Sequence, residues 1–272
     1  RKLRPLAYEK LPYNWATIGK EIAHIEEATM DDVKAFFQKY YIPNNAILVV
    51  AGKVTVDQVK ALCEKWFAPI PKGKDIERNY PAEGTHKGKK SLNVTAKVPT
   101  SAFYKAYHMP ARSHADYHHL DMLSDILGRG KSSRLYESLV KKEEVFNSVG
   151  CFLTGSADPG LFVISGKLTK NVTLEEAEEK VDALVKNFLN SELTDEELTK
   201  VKNKAESSLV FSETELLNRA TNLAYYKFLG NIELVNSEVN KIKAVSAEKI
   251  KELASKYLTE DNAAVLHYQA EK

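Results

Sequence analysis

The chain contains two copies of one sequence pattern, and this repeat constrains its fold more than any other feature. Residues 6–50 align without a gap with residues 223–267, at an offset of 217 positions that places Leu6 over Leu223. Matching positions hold identical or similar residues, including these pairs: Lys39 and Lys256, Tyr40 and Tyr257, Asn45 and Asn262, Val33 and Ile250, Phe36 and Leu253. Because the apolar positions stay in phase, we interpret the two segments as copies of one structural unit.

The two copies differ in how much sequence precedes them. The second copy extends back to residue 91, whereas by the same offset about 125 residues of the first unit would lie before Arg1. Residues 71–90 are rich in proline, glycine and charge and are typical of a linker. We therefore predict the C-terminal part of a first domain over residues 1–70, a linker over 71–90 and a complete second domain over 91–272.

Composition argues against two classes of partner. The chain has 272 residues and a net charge of +2, from 39 Lys and Arg against 37 Asp and Glu. This balance gives no electrostatic reason to expect binding to nucleic acid. No apolar run approaches the roughly 20 residues of a membrane-spanning helix. We expect neither nucleic acid nor a membrane span.

Hydrophobic periodicity and capping residues give the order of elements. In the first copy, Thr29 and Thr55 are typical N-caps of two helices, and the apolar run Ala46–Ala51 between them predicts a buried strand. From residue 91 onward the pattern predicts strand, strand, helix, strand, strand, three helices and a last strand, and Thr173 is expected to open the first of those three helices. This order predicts an α+β fold with two layers, in which the helices pack on one face of an antiparallel or mixed sheet.

Two long segments carry a resemblance to a known family. They are Tyr40–Gly52, with the sequence YYIPNNAILVVAG, and Leu123–Tyr136, with the sequence LSDILGRGKSSRLY. Together with Leu6–Tyr8, they resemble the pitrilysin or insulinase type of zinc metallopeptidase, which includes the mitochondrial processing peptidase. The resemblance covers essentially the whole chain. It implies two homologous domains around a peptide chamber, with this chain as the C-terminal, non-catalytic portion.

The resemblance also implies where the metal lies. Members of the family usually bind zinc in the first domain through a His-x-x-Glu-His helix, whose glutamate acts as general base for zinc-bound water. The chain contains no such motif. We therefore assign it no catalytic residue, no metal ligand and no cofactor, and expect zinc only in the intact protein. The chain alone is expected to be inactive and to form part of the chamber wall. The alternative is a proteolytically inactive scaffold or assembly subunit of the same fold.

A glycine-rich segment supplies the candidate substrate contacts. Residues 128–133 interrupt a helical stretch without the spacing of a phosphate-binding loop. A simple helix break explains them, whereas the resemblance implies a loop that faces the chamber. The family also tends to place an arginine, and a tyrosine seven residues later, on the substrate carbonyl. Here those positions hold Val140, which has no donor, and Asn147, whose amide can donate. The candidate residues are Gly128, Arg129, Gly130, Lys131, Ser132, Ser133, Arg134 and Asn147.

A histidine cluster offers a different hypothesis. His114 and His118 are four residues apart, so on a helix they would share a face and could bind a metal ion with Asp116. Since the segment follows Pro110, His114 is expected to precede or start the helix. A surface cluster of histidines is therefore favoured over a metal site, and both interpretations stay open.

Partners and location follow from the resemblance alone. It implies a peptide substrate and, as a further partner, either the missing N-terminal domain or a separately encoded catalytic subunit. A homodimer is also compatible with it. It favours the bacterial periplasm or cell envelope as the location, with an organelle as the second expectation.

Overall fold

The structure is a computed structural model that describes residues 1–83 and 88–271. Its chain divides into two compact units, each built from separate stretches of sequence. The first unit comprises Arg1–Ala16, Pro81–Ala205 and Asn240–Lys272, and the second comprises Thr17–Tyr80 and Glu206–Val239. A boundary between the units falls inside the predicted linker at residues 71–90, between Tyr80 and Pro81. Each unit nevertheless contains sequence from both sides of that linker. The assignment of residues 1–70 and 91–272 to two peptidase domains stays a prediction.

The first unit contains a five-stranded mixed sheet. Its strands are β1 (Lys90–Ala96), β2 (Ala102–Met109), β3 (Phe146–Leu153), β4 (Gly160–Leu168) and β5 (Ala263–Ala270). Their order across the sheet is β1-β5-β2-β4-β3. Strand β1 pairs parallel with β5, and the other pairs are antiparallel. Strands β1 and β2 are neighbours in sequence but do not pair, because β5 lies between them.

Helices account for much of the remaining chain. They are α1 (Leu3–Ala7), α2 (Ala23–Glu26), α3 (Met30–Tyr40), α4 (Val56–Trp66), α5 (Tyr117–Gly128), α6 (Leu174–Asn190), α7 (Asp195–Ser212), α8 (Leu216–Phe228), α9 (Glu238–Lys243) and α10 (Ala247–Tyr257). A π-helical turn covers Tyr136–Lys142. None of the helices described is long and apolar enough to cross a membrane.

Capping side chains fix several helix starts at the predicted residues. The hydroxyls of Thr29, Thr55 and Thr173 each accept a hydrogen bond from the backbone N–H three residues later, at 3.1–3.2 Å. Each bond satisfies one of the backbone donors that a helix leaves unpaired at its N-terminus. The predicted starts of α3, α4 and α6 are therefore confirmed.

The main core lies between one face of the sheet and the helices α5, α6 and α10. The strands contribute large side chains such as Phe103, Phe146 and Phe162, and the helices contribute residues such as Leu123 and Leu253. This arrangement confirms the predicted α+β class, with a mixed sheet and helices packed mainly on one face.

The other face of the sheet, here called the open face, is only partly covered. Ala7, Tyr8 and Leu11, at the end of α1 and just beyond it, pack on Ala106 and on neighbouring strand residues. The partly buried Leu3 and Leu6 of α1, and Tyr13 beyond it, pack against the same cluster. The part of the open face nearer to β3 lies outside this cluster, and it is the region from which the candidate site is built.

The predicted strand at Ala46–Ala51 is wrong. This segment of the second unit is assigned no strand, and Leu48 is 57% exposed. A strand needs neighbours for its backbone N–H and C=O groups. Its counterpart β5 has β1 on one side and β2 on the other. Among the residues described, no strand pairs with either side of Ala46–Ala51.

Candidate functional site

The glycine-rich loop begins where α5 passes very close to β3. A Cβ atom added to Gly128 would lie 2.2 Å from the backbone nitrogen of Cys151 and 2.4 Å from its Cβ. Only glycine permits this approach without a shift of the backbone. Gly130 has a φ of +96°, a conformation that glycine adopts easily. The sequence therefore folds into a tight loop held against β3.

The side chains of this loop divide into exposed and buried ones. Residues 129–132 are exposed, although Arg129 pairs with Asp125 at 3.2 Å and Ser132 accepts a hydrogen bond from Lys200 at 3.1 Å. Ser133 is buried, and its hydroxyl donates to the carbonyl oxygen of Gly130 at 2.7 Å. The part of the predicted loop that a peptide can reach is therefore residues 129–132.

Arg134 is already engaged within the chain. Its Nη1 donates to Ser191 Oγ at 2.7 Å, and its Nε and Nη2 donate to the two carboxylate oxygens of Glu197 at 2.9 and 2.8 Å. The hydrogen bond from Arg134 is the main cause that holds the pKa of Glu197 below its ordinary value. The guanidinium group also lies over the ring of Phe188. This side chain fastens the loop to the helices α6 and α7.

Asn147 lies at the start of β3, where the strand pairing is irregular. The register shifts between Phe146 and Ser148, and the Asn147 amide donates to the carbonyl oxygen of Leu168 at 2.6 Å. Val140 lies in the preceding π-helical turn. The sheet itself thus uses one of the two N–H donors of the Asn147 amide.

A cavity of about 320 Å³ lies on the open face beside β3. Its polar lining comes from Tyr104, Ser148, Ser165 and Lys167, with Gly150 between them. Strand pairing explains this arrangement, because Ser165 of β4 lies opposite Tyr104 of β2 on one side and Gly150 of β3 on the other. The sequence alone did not point to these residues. A usable signal was present, since polar residues in β4 alternate with the core residues Ile164 and Leu168.

Strand β3 connects the loop to the cavity. It forms the edge of the sheet, and no strand in the described part of the chain pairs with its outer side. An exposed edge strand can accept an extended peptide as an additional strand. Gly128 approaches β3, and residues of β3 line the cavity, so we refer to residues 129–132, strand β3 and the cavity together as the candidate peptide site.

A cluster of charged residues lies on the helical face of the sheet. Lys105 is only 1% exposed, and its ammonium lies 2.6 Å from Asp182 and 3.0 Å from Glu260. His267 Nε2 lies 2.8 Å from Glu178. Burial raises the pKa of Asp182, although the hydrogen bond and the charge of Lys105 act in the opposite direction. These groups pair with one another between the sheet and α6, so the cluster is structural.

The histidine segment does not form the geometry of the metal hypothesis. His114 precedes α5, which begins at Tyr117, so His114 and His118 do not share a helical face. His114 Nδ1 accepts a hydrogen bond from the backbone N–H of Asp116 at 3.1 Å, and His118 is buried. Across residues 1–83 and 88–271, no group of three or more His, Cys, Asp or Glu side chains is placed to hold a metal ion.

The chain is similar to a family of peptidase domains and to proteins named zinc proteases. Residues 27–205 match the family model described as the peptidase M16 inactive domain. The chain is 32% identical over 199 residues to the zinc protease PqqE of Helicobacter pylori, covering 72% of this chain and 45% of that protein. It is 25% identical over 265 residues to the uncharacterized zinc protease YmxG of Bacillus subtilis, covering 94% of this chain and 63% of that protein.

A solved structure agrees with these sequence matches. The crystal structure of a protease from Helicobacter pylori superposes with a TM-score of 0.91 and 25% identity, over 98% of this chain and 66% of that one. The chain thus spans from 45% to 63% of the length of the two curated relatives.

Proposed function

The chain belongs to the family of the peptidase M16 inactive domain, and from this we propose that it forms one wall of the peptide-binding chamber of a zinc-dependent endopeptidase. The relatives that bear the name zinc protease support a zinc ion in the intact protein. The residues of this chain do not fit that ion, since the sequence has no His-x-x-Glu-His motif and the described part has no ligand cluster. The role of this chain is to bind and orient the peptide.

The observation that carries the proposal is the difference between the two copies of the repeat. On α3, Val33, Phe36 and Phe37 are 56–58% exposed. Their counterparts on α10, namely Ile250, Leu253 and Ala254, are all 0% exposed. A helix face with large apolar side chains is normally covered. The first copy therefore has the pattern of a unit that buries this face against a further part of the protein.

The second copy of the repeat indicates which elements would cover the first copy. In the second copy, α10 packs against α5, and β5 lies between β1 and β2. We infer that the first copy takes an equivalent helix and two equivalent strands, one parallel and one antiparallel to Ala46–Ala51. They would come from the N-terminal domain of the same protein or from a separately encoded catalytic subunit.

The candidate peptide site gives this chain its part in substrate binding. An extended peptide can add to the outer side of β3, and its side chains can reach the open face and residues 129–132. Backbone pairing along an edge strand supplies affinity that does not depend on sequence. The location of the protein in the bacterial periplasm or envelope, with an organelle as second choice, belongs to the same proposal and rests on the family resemblance.

Photo-cross-linking of an extended peptide tests this function. A peptide with a benzoylphenylalanine residue is irradiated with the chain, and the labelled residues are mapped by mass spectrometry. We expect labels on residues 129–132 and on β3, and weaker labelling in Lys131→Glu but not in Lys142→Glu, which alters an exposed lysine beyond the loop. Labels restricted to α6 and α10 would contradict the proposal. Absence of saturable labelling would favour the scaffold alternative.

A further inference from the structure

We propose that the cavity on the open face is a subsite for a carboxylate group of the bound peptide, with Lys167 as its charged contact. This inference rests on the proposed function and makes it more specific. It identifies the side chains that distinguish one peptide sequence from another. Backbone pairing along β3 does not make this distinction, because it does not depend on the peptide's side chains.

Strand pairing brings the polar groups of the cavity together. Lys167 of β4 lies opposite Ser148 of β3, and Ser165, two residues before Lys167, lies opposite Tyr104 of β2. All four residues line the cavity. They belong to three neighbouring strands, so the sheet holds their backbones in fixed positions. One ammonium group and three hydroxyl groups can therefore act on a single ligand group.

These polar groups have not been used by the fold. Within the described residues, the Lys167 ammonium and the hydroxyls of Tyr104, Ser148 and Ser165 make no hydrogen bond or ion pair with another residue. Other lysines of the same sheet are paired. Lys90, which shares the open face, forms an ion pair with Glu9, and the buried Lys105 has carboxylate partners on the helical face. Lys167 thus retains its capacity to bind an anion.

The charges of the open face favour an anionic ligand. The five strands place Lys90 and Lys167 on this face and place no aspartate or glutamate there. A lone ammonium beside hydroxyl donors matches the acceptor oxygens of a carboxylate. A cationic ligand group would meet no opposite charge from these strands.

The size of the cavity suits a side chain or a chain end. Its volume of about 320 Å³ is near the lower end of ligand pockets, which run from about 300 to 1,000 Å³. A peptide can offer a carboxylate from aspartate or glutamate, or from its own C-terminus. Both present the same two oxygens, and the binding experiment separates them.

Binding of matched fluorescent peptides to the whole chain tests the subsite. One amidated peptide carries a central glutamate, a second carries glutamine there, and a third carries glutamine with a free C-terminal carboxylate. Fluorescence anisotropy gives each dissociation constant. We expect at least one carboxylate peptide to bind more tightly than the neutral one, by on the order of fivefold at low salt. The difference should shrink as added salt screens the charges.

Variants connect the preference to Lys167. The substitution Lys167→Met should abolish the preference, and Lys167→Arg should retain it. Lys170→Gln changes an exposed lysine just beyond β4 and should leave the preference unchanged. Lys167→Glu should instead favour a peptide with a central lysine. Since Lys167 is exposed, we expect all four variants to fold, which circular dichroism can verify.

The outcomes separate this inference from the function on which it rests. Failure of all peptides to bind would contradict the proposed function. Equal binding of neutral and carboxylate peptides would overturn the subsite and leave the chamber-wall role intact. A carboxylate preference that survives in Lys167→Met would also overturn it. Tighter binding of only the peptide with a free C-terminus would identify the chain end as the source.

Discussion

The guanidinium group of Arg134 holds the carboxylate of Glu197 through two parallel hydrogen bonds, Nε to Oε1 at 2.9 Å and Nη2 to Oε2 at 2.8 Å. This geometry uses the planar fork of arginine, which lysine cannot reproduce. It fastens the end of the glycine-rich loop to the first turn of α7. Arg134 stays a predicted substrate contact, and in the structure its bonds to Glu197 also hold the end of the loop that carries residues 129–132.

Replacing this arginine should lower stability. We expect Arg134→Met to reduce the free energy of unfolding by about 2 kcal/mol, because Glu197 would lose both charged hydrogen bonds. Arg134→Lys should have a smaller effect, since one hydrogen bond can re-form. Lys131→Met, a change at an exposed loop position, is the matched control and should be neutral. Urea denaturation followed by circular dichroism measures all three, and a neutral Arg134→Met would contradict the structural role.

The same pair predicts a dependence on pH. The hydrogen bond from Arg134 is the largest cause of the lowered pKa of Glu197. A carboxyl group whose pKa is lower in the folded state stabilises the protein above its unfolded pKa, and this contribution is lost as pH falls through the folded pKa. Glu197→Gln should therefore lose less stability on acidification than the parent chain. Glu196→Gln, at an exposed neighbour, should behave like the parent when unfolding is measured across the acid range.

Replacing the buried Lys105 of the sheet should destabilise the protein more than replacing an exposed lysine. Lys105→Met would leave Asp182 without its ion-pair partner, whereas Glu178 and Glu260 would keep Lys89. Removal of one partner from a buried ion pair destabilises proteins by about 3 to 5 kcal/mol. Lys89→Met removes a more exposed lysine that contacts Glu178 in the same cluster and should cost less than about 1 kcal/mol. Thermal unfolding compares the two, and equal losses would contradict the burial argument.

Equivalent positions in the two copies of the repeat should lose different amounts of stability when their side chains are shortened to alanine. Leu253→Ala would leave a cavity in the core and should cost about 2 to 5 kcal/mol. Phe36→Ala changes the matching position of the first copy, where the ring is 58% exposed, and should leave the stability of the isolated chain nearly unchanged. The proposed covering part should nevertheless bind Phe36→Ala less tightly. Chemical denaturation of the chain alone and pull-down with the catalytic part provide the two readouts.

Local signals in the sequence predicted much of the fold. The caps at Thr29, Thr55 and Thr173 depend on side chains that bond within one helical turn, so spacing alone reveals them. The apolar residues that form β3 and β4 each lie in one short segment, so the sequence also reveals these strands. The position of β5 between β1 and β2 was not predicted, because it depends on pairing between residues far apart in the chain.

The wrong and missed predictions have the same physical origin. Ala46–Ala51 has the composition of a strand, but backbone pairing also needs neighbours that composition does not supply. The cavity around Lys167 and Tyr104 depends on the register of three strands, which one strand's pattern does not determine. Arg134 and Asn147 stay predicted substrate contacts, and the bonds that they make to Glu197 and Leu168 depend on long-range pairing that the sequence does not show.

Hydrolysis of a quenched fluorescent peptide tests the central claim most directly. The assay compares the purified 272-residue chain, the partner domain or subunit with the His-x-x-Glu-His motif, and their mixture, each with and without a chelator. The account predicts no hydrolysis by the chain alone, and chelator-sensitive hydrolysis by the mixture that is faster than by the partner alone. Chelator-sensitive hydrolysis by the pure chain, or a mixture no faster than the partner, would contradict it.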